Sequence, residues 1–182
     1  MASNSPRRRE LLAGLDIDYR VTALPEVNES YPDTLSGEEI PLYISQEKAA
    51  AYRRFMKDNT LLITADTIVW LDGKVYGKPR DIADAKAMLQ ALSGKTHTVI
   101  TGVTLTSLQK QISFAVSTEV TFAALGDDEI DYYVETYRPL DKAGAYGVQE
   151  WIGYIGVTGL KGSYYNVMGL PIQRLYTELK KF

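Results

Sequence analysis

Two long strand patterns separated by only a short polar turn constrain this chain more than any other feature. Residues 96–108 and 111–125 are rich in Thr, Val, Ile and Phe. Strands joined so tightly run antiparallel, because a parallel partner needs a crossover of about a dozen residues or more. Asp72-Gly73 marks a second tight turn, between an apolar β-branched run over 61–71 and Val75-Tyr76. Helical patterns alternate with these strands. The combination predicts an α/β fold with a mixed β-sheet and argues against a purely parallel, doubly wound one. At about 150 residues per domain, the 182 residues make a single domain, residues 1–182, able to bury a core without disulfides.

The local signals place the remaining elements. Residues 6–13 read as a short helix: Ser5 suits the N-cap, Pro6 the first helical position, and Gly14 the end. Residues 17–23 alternate as a strand. Residues 24–35, with two prolines, Asn28 and three acids, read as a loop. Ser36 and Glu39 have capping-box spacing for a helix running to about Lys57. Asp81 caps a helix over 83–92, and 127–137 is helical. Residues 143–159 read as a bent, Gly- and aromatic-rich strand, 162–171 as a loop, and 171–181 as the last helix.

Composition removes whole classes of function. Lys and Arg number 20 against 23 Asp and Glu, a net charge of −3, which excludes a bulk-basic nucleic-acid binder. With no cysteine and one histidine, thiolate metal sites, cysteine nucleophiles and paired-His clusters are excluded. No stretch approaches the ~20 apolar residues of a membrane span; Asp66, Lys95 and Glu119 interrupt the longest candidates. The basic start has no apolar run behind it, so a secretory signal is not expected and a cytoplasmic protein is.

Five segments carry candidate chemistry. In Ser3-Asn4-Ser5-Pro6-Arg7-Arg8, two arginines occupy the first helical turn, where the dipole disfavours cations and favours a phosphate. They read as ligand groups; the alternative is a frayed surface turn. Asp66 sits inside an apolar strand, where a carboxylate is costly unless paired or metal-bound. Glu29 in the preceding loop can supply a second carboxylate, whereas plain solvation is favoured for Glu26. Gly77-Lys78-Pro79 presents a lysine in a turn, and Lys48 lies mid-helix; both can reach phosphate as point charges. In the segment 141–149, small residues permit close backbone approach and Gln149 offers an amide able to read a base edge; the alternative is a bulged strand. His97 reads as structural. The segment 162–171 reads as a loop delivering the last helix. Thirteen tyrosines suit a homodimer surface, a nucleobase slot or ordinary strand positions.

These segments, taken with Glu47-Lys48-Ala49, Ala65-Asp66-Thr67, Leu92-Ser93-Gly94, Thr96-His97, Thr101-Gly102-Val103, Asp141-Lys142-Ala143-Gly144-Ala145-Tyr146-Gly147-Val148-Gln149 and Gly169-Leu170-Pro171, resemble the Maf family. Its members are the septum-formation-inhibitor-like nucleoside triphosphate pyrophosphatases. The resemblance implies a central elongated sheet flanked by helices and a deep cleft between two lobes. It also implies hydrolysis of a nucleoside triphosphate to the monophosphate and pyrophosphate with a divalent cation, Mg²⁺ or Mn²⁺. It carries substrate binding onto Ser3, Arg7, Arg8, Lys48 and Lys78, and metal binding or water activation onto Glu29 and Asp66. Arg8, Thr67 and Gln149 match the branch acting on dTTP and UTP; a methylated-GTP branch and a nucleotide-binding regulator of cell division are the alternatives. Two features depart from the pattern. Only Met1 and Ala2 precede Ser3, where members carry a short apolar strand, and Glu150-Trp151 follow Gln149 where many members are glycine-rich.

The expected chemistry follows. The cation sits between Glu29, Asp66 and the triphosphate, Asp66 orients the water attacking the α-phosphorus, and the basic groups hold the phosphates. An amide such as Gln149 and a hydroxyl such as Thr67 can match the N3–H and carbonyls of uracil and thymine, while cytosine presents mismatched groups; a flipped Gln149 amide can satisfy cytosine, so backbone groups of residues 143–147 supply part of the discrimination.

Overall fold

The computed structural model describes residues 1–22 and 27–182. Glu26, the loop acid read as solvated, and Ala23 lie outside the described residues. The helices are α1 (Pro6–Ala13), α2 (Glu39–Arg53), α3 (Ile82–Leu92), α4 (Asp127–Tyr137), α5 (Trp151–Gly156), α6 (Tyr164–Val167) and α7 (Ile172–Leu179). The strands are β1 (Leu62–Leu71), β2 (Lys74–Tyr76), β3 (Thr96–Thr106), β4 (Gln111–Phe122) and β5 (Val157–Lys161), in one sheet of order β2-β1-β3-β4-β5. The α/β class stands, and the five named strands form an antiparallel sheet. Among the described residues, the parallel pairing is an isolated bridge between Ala2 and Thr22.

The hairpin signals map closely onto the strands. Asp72 and Gly73 both take positive φ, 51° and 77°, the geometry that lets a two-residue turn follow the strand twist. Asp81 caps α3 by accepting from the Asp84 amide at 2.8 Å. At α2 the Glu39 carboxylate accepts from the Ser36 amide at 3.0 Å, but the helix begins at Glu39.

Two expected elements differ. Residues 17–21 form no strand: Ile17 and Val21 are exposed, so their alternation faces no core. The segment 143–159 is not one bent strand. Gly144 (φ 67°) and Ala145 (φ 57°) turn left-handed within a 3-10 turn over Ala143–Ala145, which ends extended pairing there. Helix α5 follows, and the strand begins only at Val157. In the expected loop 162–171, Ser163 caps the short α6 by accepting from the Asn166 amide.

The contacts divide the chain into two compact units, with the divisions falling inside β1, β3 and β4. One comprises Met1–Thr67, Ile100–Val116 and Gly169–Phe182. In it, α2 lies directly on β3: a Cβ at Gly102 would come within 2.4 Å of the Pro41 carbonyl and 2.5 Å of the Leu42 nitrogen. Only glycine allows that approach. Ser45 then bonds Thr104 at 2.8 Å, and Thr64 donates to the Ser45 carbonyl at 2.7 Å. These contacts fix the height of α2 over the sheet.

The other unit comprises Ile68–Val99 and Ser117–Met168. Its core includes Leu89, Leu92, Ile130, Val134 and Ile152, all essentially fully buried. Burial of each such side chain contributes roughly 2 kcal/mol. No helix among the described residues is long and apolar enough to cross a membrane.

His97 is buried in the second unit, with Nε2 2.7 Å from the Tyr146 hydroxyl and its ring edge-on to Phe122. Burial lowers its pKa from 6.5 to about 4. The unfolded chain therefore takes up this proton first as pH falls, and stability declines from about pH 6.5 towards pH 4, with no contribution to the slope above that window. In urea titrations, His97 should account for roughly 2–3 kcal/mol of the loss between pH 7 and pH 4.5. His97→Gln should be less stable at pH 7 but lose correspondingly less on acidification. An identical loss in both proteins would contradict this.

Candidate active site

The site residues of the first unit are assembled by the start of the chain. The Ala2 amide donates to the Ile63 carbonyl at 3.0 Å, and the Met1 carbonyl accepts from Thr22 at 3.0 Å. Two residues thus tie the Ser-x-Ser segment to β1, where a longer strand is expected from the resemblance. Ser3 is buried, and its hydroxyl accepts from the Ser5 amide at 3.2 Å. Ser5 caps α1 by accepting from the Arg8 amide. The Arg9 guanidinium seals the turn on the Ser3 carbonyl, at 3.1 Å from Nε and 2.9 Å from Nη2. Residue type and spacing did not single out Arg9; its position one helical step beyond the paired arginines was the available signal.

Arg8, in the first turn of α1 where the dipole disfavours a cation, is met by acceptors from outside the helix. For Arg8 the acceptors are protein groups: Gly169 O at 2.7 Å, Ala65 O at 2.9 Å and Thr67 Oγ1 at 2.8 Å. Three of its five N–H groups are committed. Burial lowers the Arg8 pKa, opposed by the charges of Asp66 and Glu29. Ala65 and Thr67 flank Asp66, so Arg8 braces the strand on both sides of that carboxylate. Thr67 also meets the Thr101 hydroxyl at 2.9 Å. Arg7 is half-buried in the same turn.

Lys48 provides the central contact. Lys48 is 4% exposed, and its ammonium lies 2.7 Å from Asp66 Oδ1 and 2.8 Å from Glu29 Oε1. The lysine expected on phosphate therefore stands between the two carboxylates expected on a metal. Asp66 is buried and Glu29 is exposed. The Lys48 contact to Asp66 is made at Oδ1.

Two carboxylates that touch one nitrogen converge closely enough to share a hard cation, and both supply the oxygen donors that Mg²⁺ or Mn²⁺ prefers. They fit such an ion as a partial shell. No group of three or more His, Cys, Asp or Glu side chains among the described residues could hold a metal, so water and ligand oxygens would complete the coordination.

In the second unit, Lys78 is exposed after β2. Gln149 is partly buried, and its Oε1 is enclosed with no hydrogen-bond partner among the described residues. An enclosed acceptor without a donor costs about 1–3 kcal/mol, so this atom is suited to a ligand donor.

The family described as Maf-like protein matches residues 1–182. The chain belongs to the Maf-like protein family. A dTTP/UTP pyrophosphatase of Phocaeicola vulgatus is 67% identical over 181 residues, which cover 100% of this chain and 94% of that protein. A dTTP/UTP pyrophosphatase of Bacteroides thetaiotaomicron is 63% identical with the same coverage. A third of that name, from Porphyromonas gingivalis, is 55% identical over 184 residues, covering 100% of this chain and 92% of the relative. This Maf chain thus pairs a braced aspartate of β1 with a lysine of α2, the helix that Gly102 lets lie on β3.

Removing the ammonium leaves Asp66 buried and unpaired, which costs about 3 kcal/mol. Lys48→Met should show that loss in urea unfolding at pH 7. Adding Asp66→Asn should recover part of it, because the uncompensated charge is then gone. Strict additivity of the two substitutions would show that the ion pair is not coupled as the distances indicate.

Proposed function

We propose that this protein hydrolyses dTTP and UTP to the nucleoside monophosphate and pyrophosphate. The observation that carries the reading is Asp66, a buried carboxylate in a strand, held by Lys48 at 2.7 Å with the Glu29 carboxylate on the same ammonium. The names of the close relatives support it.

Phosphoanhydride hydrolysis needs a positioned water, neutralised phosphate charge and a leaving group that departs as a stable anion. Asp66 accepts a proton from, and orients, a water attacking the α-phosphorus. Lys48 holds Asp66 in position and supplies positive charge beside it. Arg7, Lys78 and the amides at the start of α1 take phosphate charge, with Arg8 acting chiefly by bracing Ala65 and Thr67 around Asp66. Glu29 and Asp66 would hold a divalent cation, which supplies charge neutralisation at the phosphate oxygens. Gln149 reads the base, its enclosed Oε1 accepting from the N3–H that uracil and thymine share and cytosine lacks. A cytoplasmic, homodimeric enzyme is part of the same proposal.

Pyrophosphate release from UTP should stop in excess EDTA and return with Mg²⁺ or Mn²⁺. In ¹⁸O-water the label should appear in UMP, as attack at the α-phosphorus requires; label in pyrophosphate or orthophosphate would contradict the reaction. kcat/KM for UTP and dTTP should exceed that for CTP by roughly tenfold to a hundredfold, the worth of one mismatched buried polar group. Equal values for UTP and CTP would rule out the assigned role of Gln149.

A further inference from the structure

The segment from Asp141 to Glu150 is held by a buried polar group that the hydrolysis itself does not use. The Tyr133 hydroxyl, on α4, donates to Glu150 Oε2 and accepts from the Gly147 amide at 3.1 Å. The Lys142 ammonium reaches Glu150 Oε1 at 3.1 Å and Asp141 Oδ1 at 2.8 Å. Tyr133 is fully buried and Lys142 is 7% exposed. Apolar packing would not require these groups: the Tyr133 ring already stacks on Tyr137, with centroids 5.0 Å apart. Buried polar and charged groups carry a desolvation cost, so the arrangement is retained against that cost.

Its geometry closes the segment on itself. Lys142 stands at the beginning, Gly147 in the middle and Glu150 at the end. The Glu150 side chain lies across Gly147, where a Cβ would come within 2.7 Å of its Cδ. Gln149 is therefore bracketed along the chain by the anchored Glu150 and by Val148, which is 6% exposed. Its enclosed Oε1, without a partner among the described residues, is the one amide acceptor of the segment whose backbone is fixed in this way.

We infer that Tyr133, Glu150 and Lys142 form a positioning clamp that fixes the Gln149 backbone and thereby sets the discrimination between uracil and cytosine nucleotides. The inference rests on the proposed role of Gln149 in reading the base. A turned amide alone could serve cytosine, so the discrimination also needs the backbone groups of 143–147, which the clamp holds through the Gly147 amide, to meet the base from one place. With the clamp released, those backbone groups can shift and a turned Gln149 amide then accepts cytosine. Selectivity falls, while the chemistry at Asp66 is untouched.

The test measures kcat and KM for UTP and CTP, with thermal midpoints to confirm folding. The proteins are wild type, Tyr133→Phe, Glu150→Ala, Glu150→Gln, Gln149→Ala and the Gln149→Ala/Tyr133→Phe pair. Tyr133→Phe and Glu150→Ala should lower the UTP-to-CTP ratio of kcat/KM roughly tenfold, through KM for UTP, with kcat on UTP retained. Glu150→Gln still accepts from the Tyr133 hydroxyl and should keep most of the selectivity. The paired variant should lose less than the sum of the two single losses, because Tyr133 and Gln149 act on the same base contact. An unchanged ratio in Tyr133→Phe and Glu150→Ala overturns the clamp, as does an additive loss in the pair. If Gln149→Ala loses selectivity while the clamp variants keep it, the clamp alone fails. If wild type does not separate UTP from CTP, the base-reading role fails.

Discussion

One ammonium between two carboxylates organises the candidate reacting centre. Lys48 contacts both Asp66 and Glu29, and without it Asp66 would be a lone charge in an apolar strand. Burial makes such a pair costly to assemble and costlier to break, so the contact gives Asp66 a defined place more than it adds stability. The packing of α2 on β3 at Gly102 brings the lysine within reach. A structural requirement for one glycine is thereby linked to the electrostatics of one aspartate.

Arg8 plays the complementary part from the other side. Its guanidinium spends three donors on Ala65, Thr67 and Gly169, which joins the first helix, the Asp66 strand and the turn before α7. A planar fork can hold three acceptors at fixed angles where a lysine could not. Two of the three residues that match the pyrimidine branch in the resemblance, Arg8 and Thr67, are thus hydrogen-bonded to each other.

Much of this was legible in the chain, and the exceptions have physical causes. The long hairpin, α1, α4 and the Asp72-Gly73 turn follow from local signals, because periodicity, caps and left-handed turn residues act over a few positions. Residues 17–21 alternate like a strand, yet their apolar side chains stay exposed; alternation reports a preference, and a sheet partner must still exist. The segment 143–159 conceals a helix because Trp-Ile-Gly-Tyr-Ile-Gly has poor helix propensity and no clear apolar stripe. In the site, Asp66 was conspicuous as a charge among apolar residues. Its pairing with Lys48 was not, since that contact depends on how α2 sits over the sheet. The clamp from Tyr133 to Glu150 was hidden for the same reason: its members come from separate elements and none is unusual alone.

The central claim is that Asp66, held by Lys48, performs the chemistry after the nucleotide is bound. The most direct measurement is single-turnover hydrolysis of UTP by Asp66→Asn, alongside calorimetric binding of UTP in the presence of Ca²⁺ to both proteins. Asparagine keeps the shape and loses the basic oxygen. The account predicts that turnover falls by at least about a hundredfold, the range ascribed to a positioned general base, while UTP binding changes little. Hydrolysis at the wild-type rate in Asp66→Asn would contradict it.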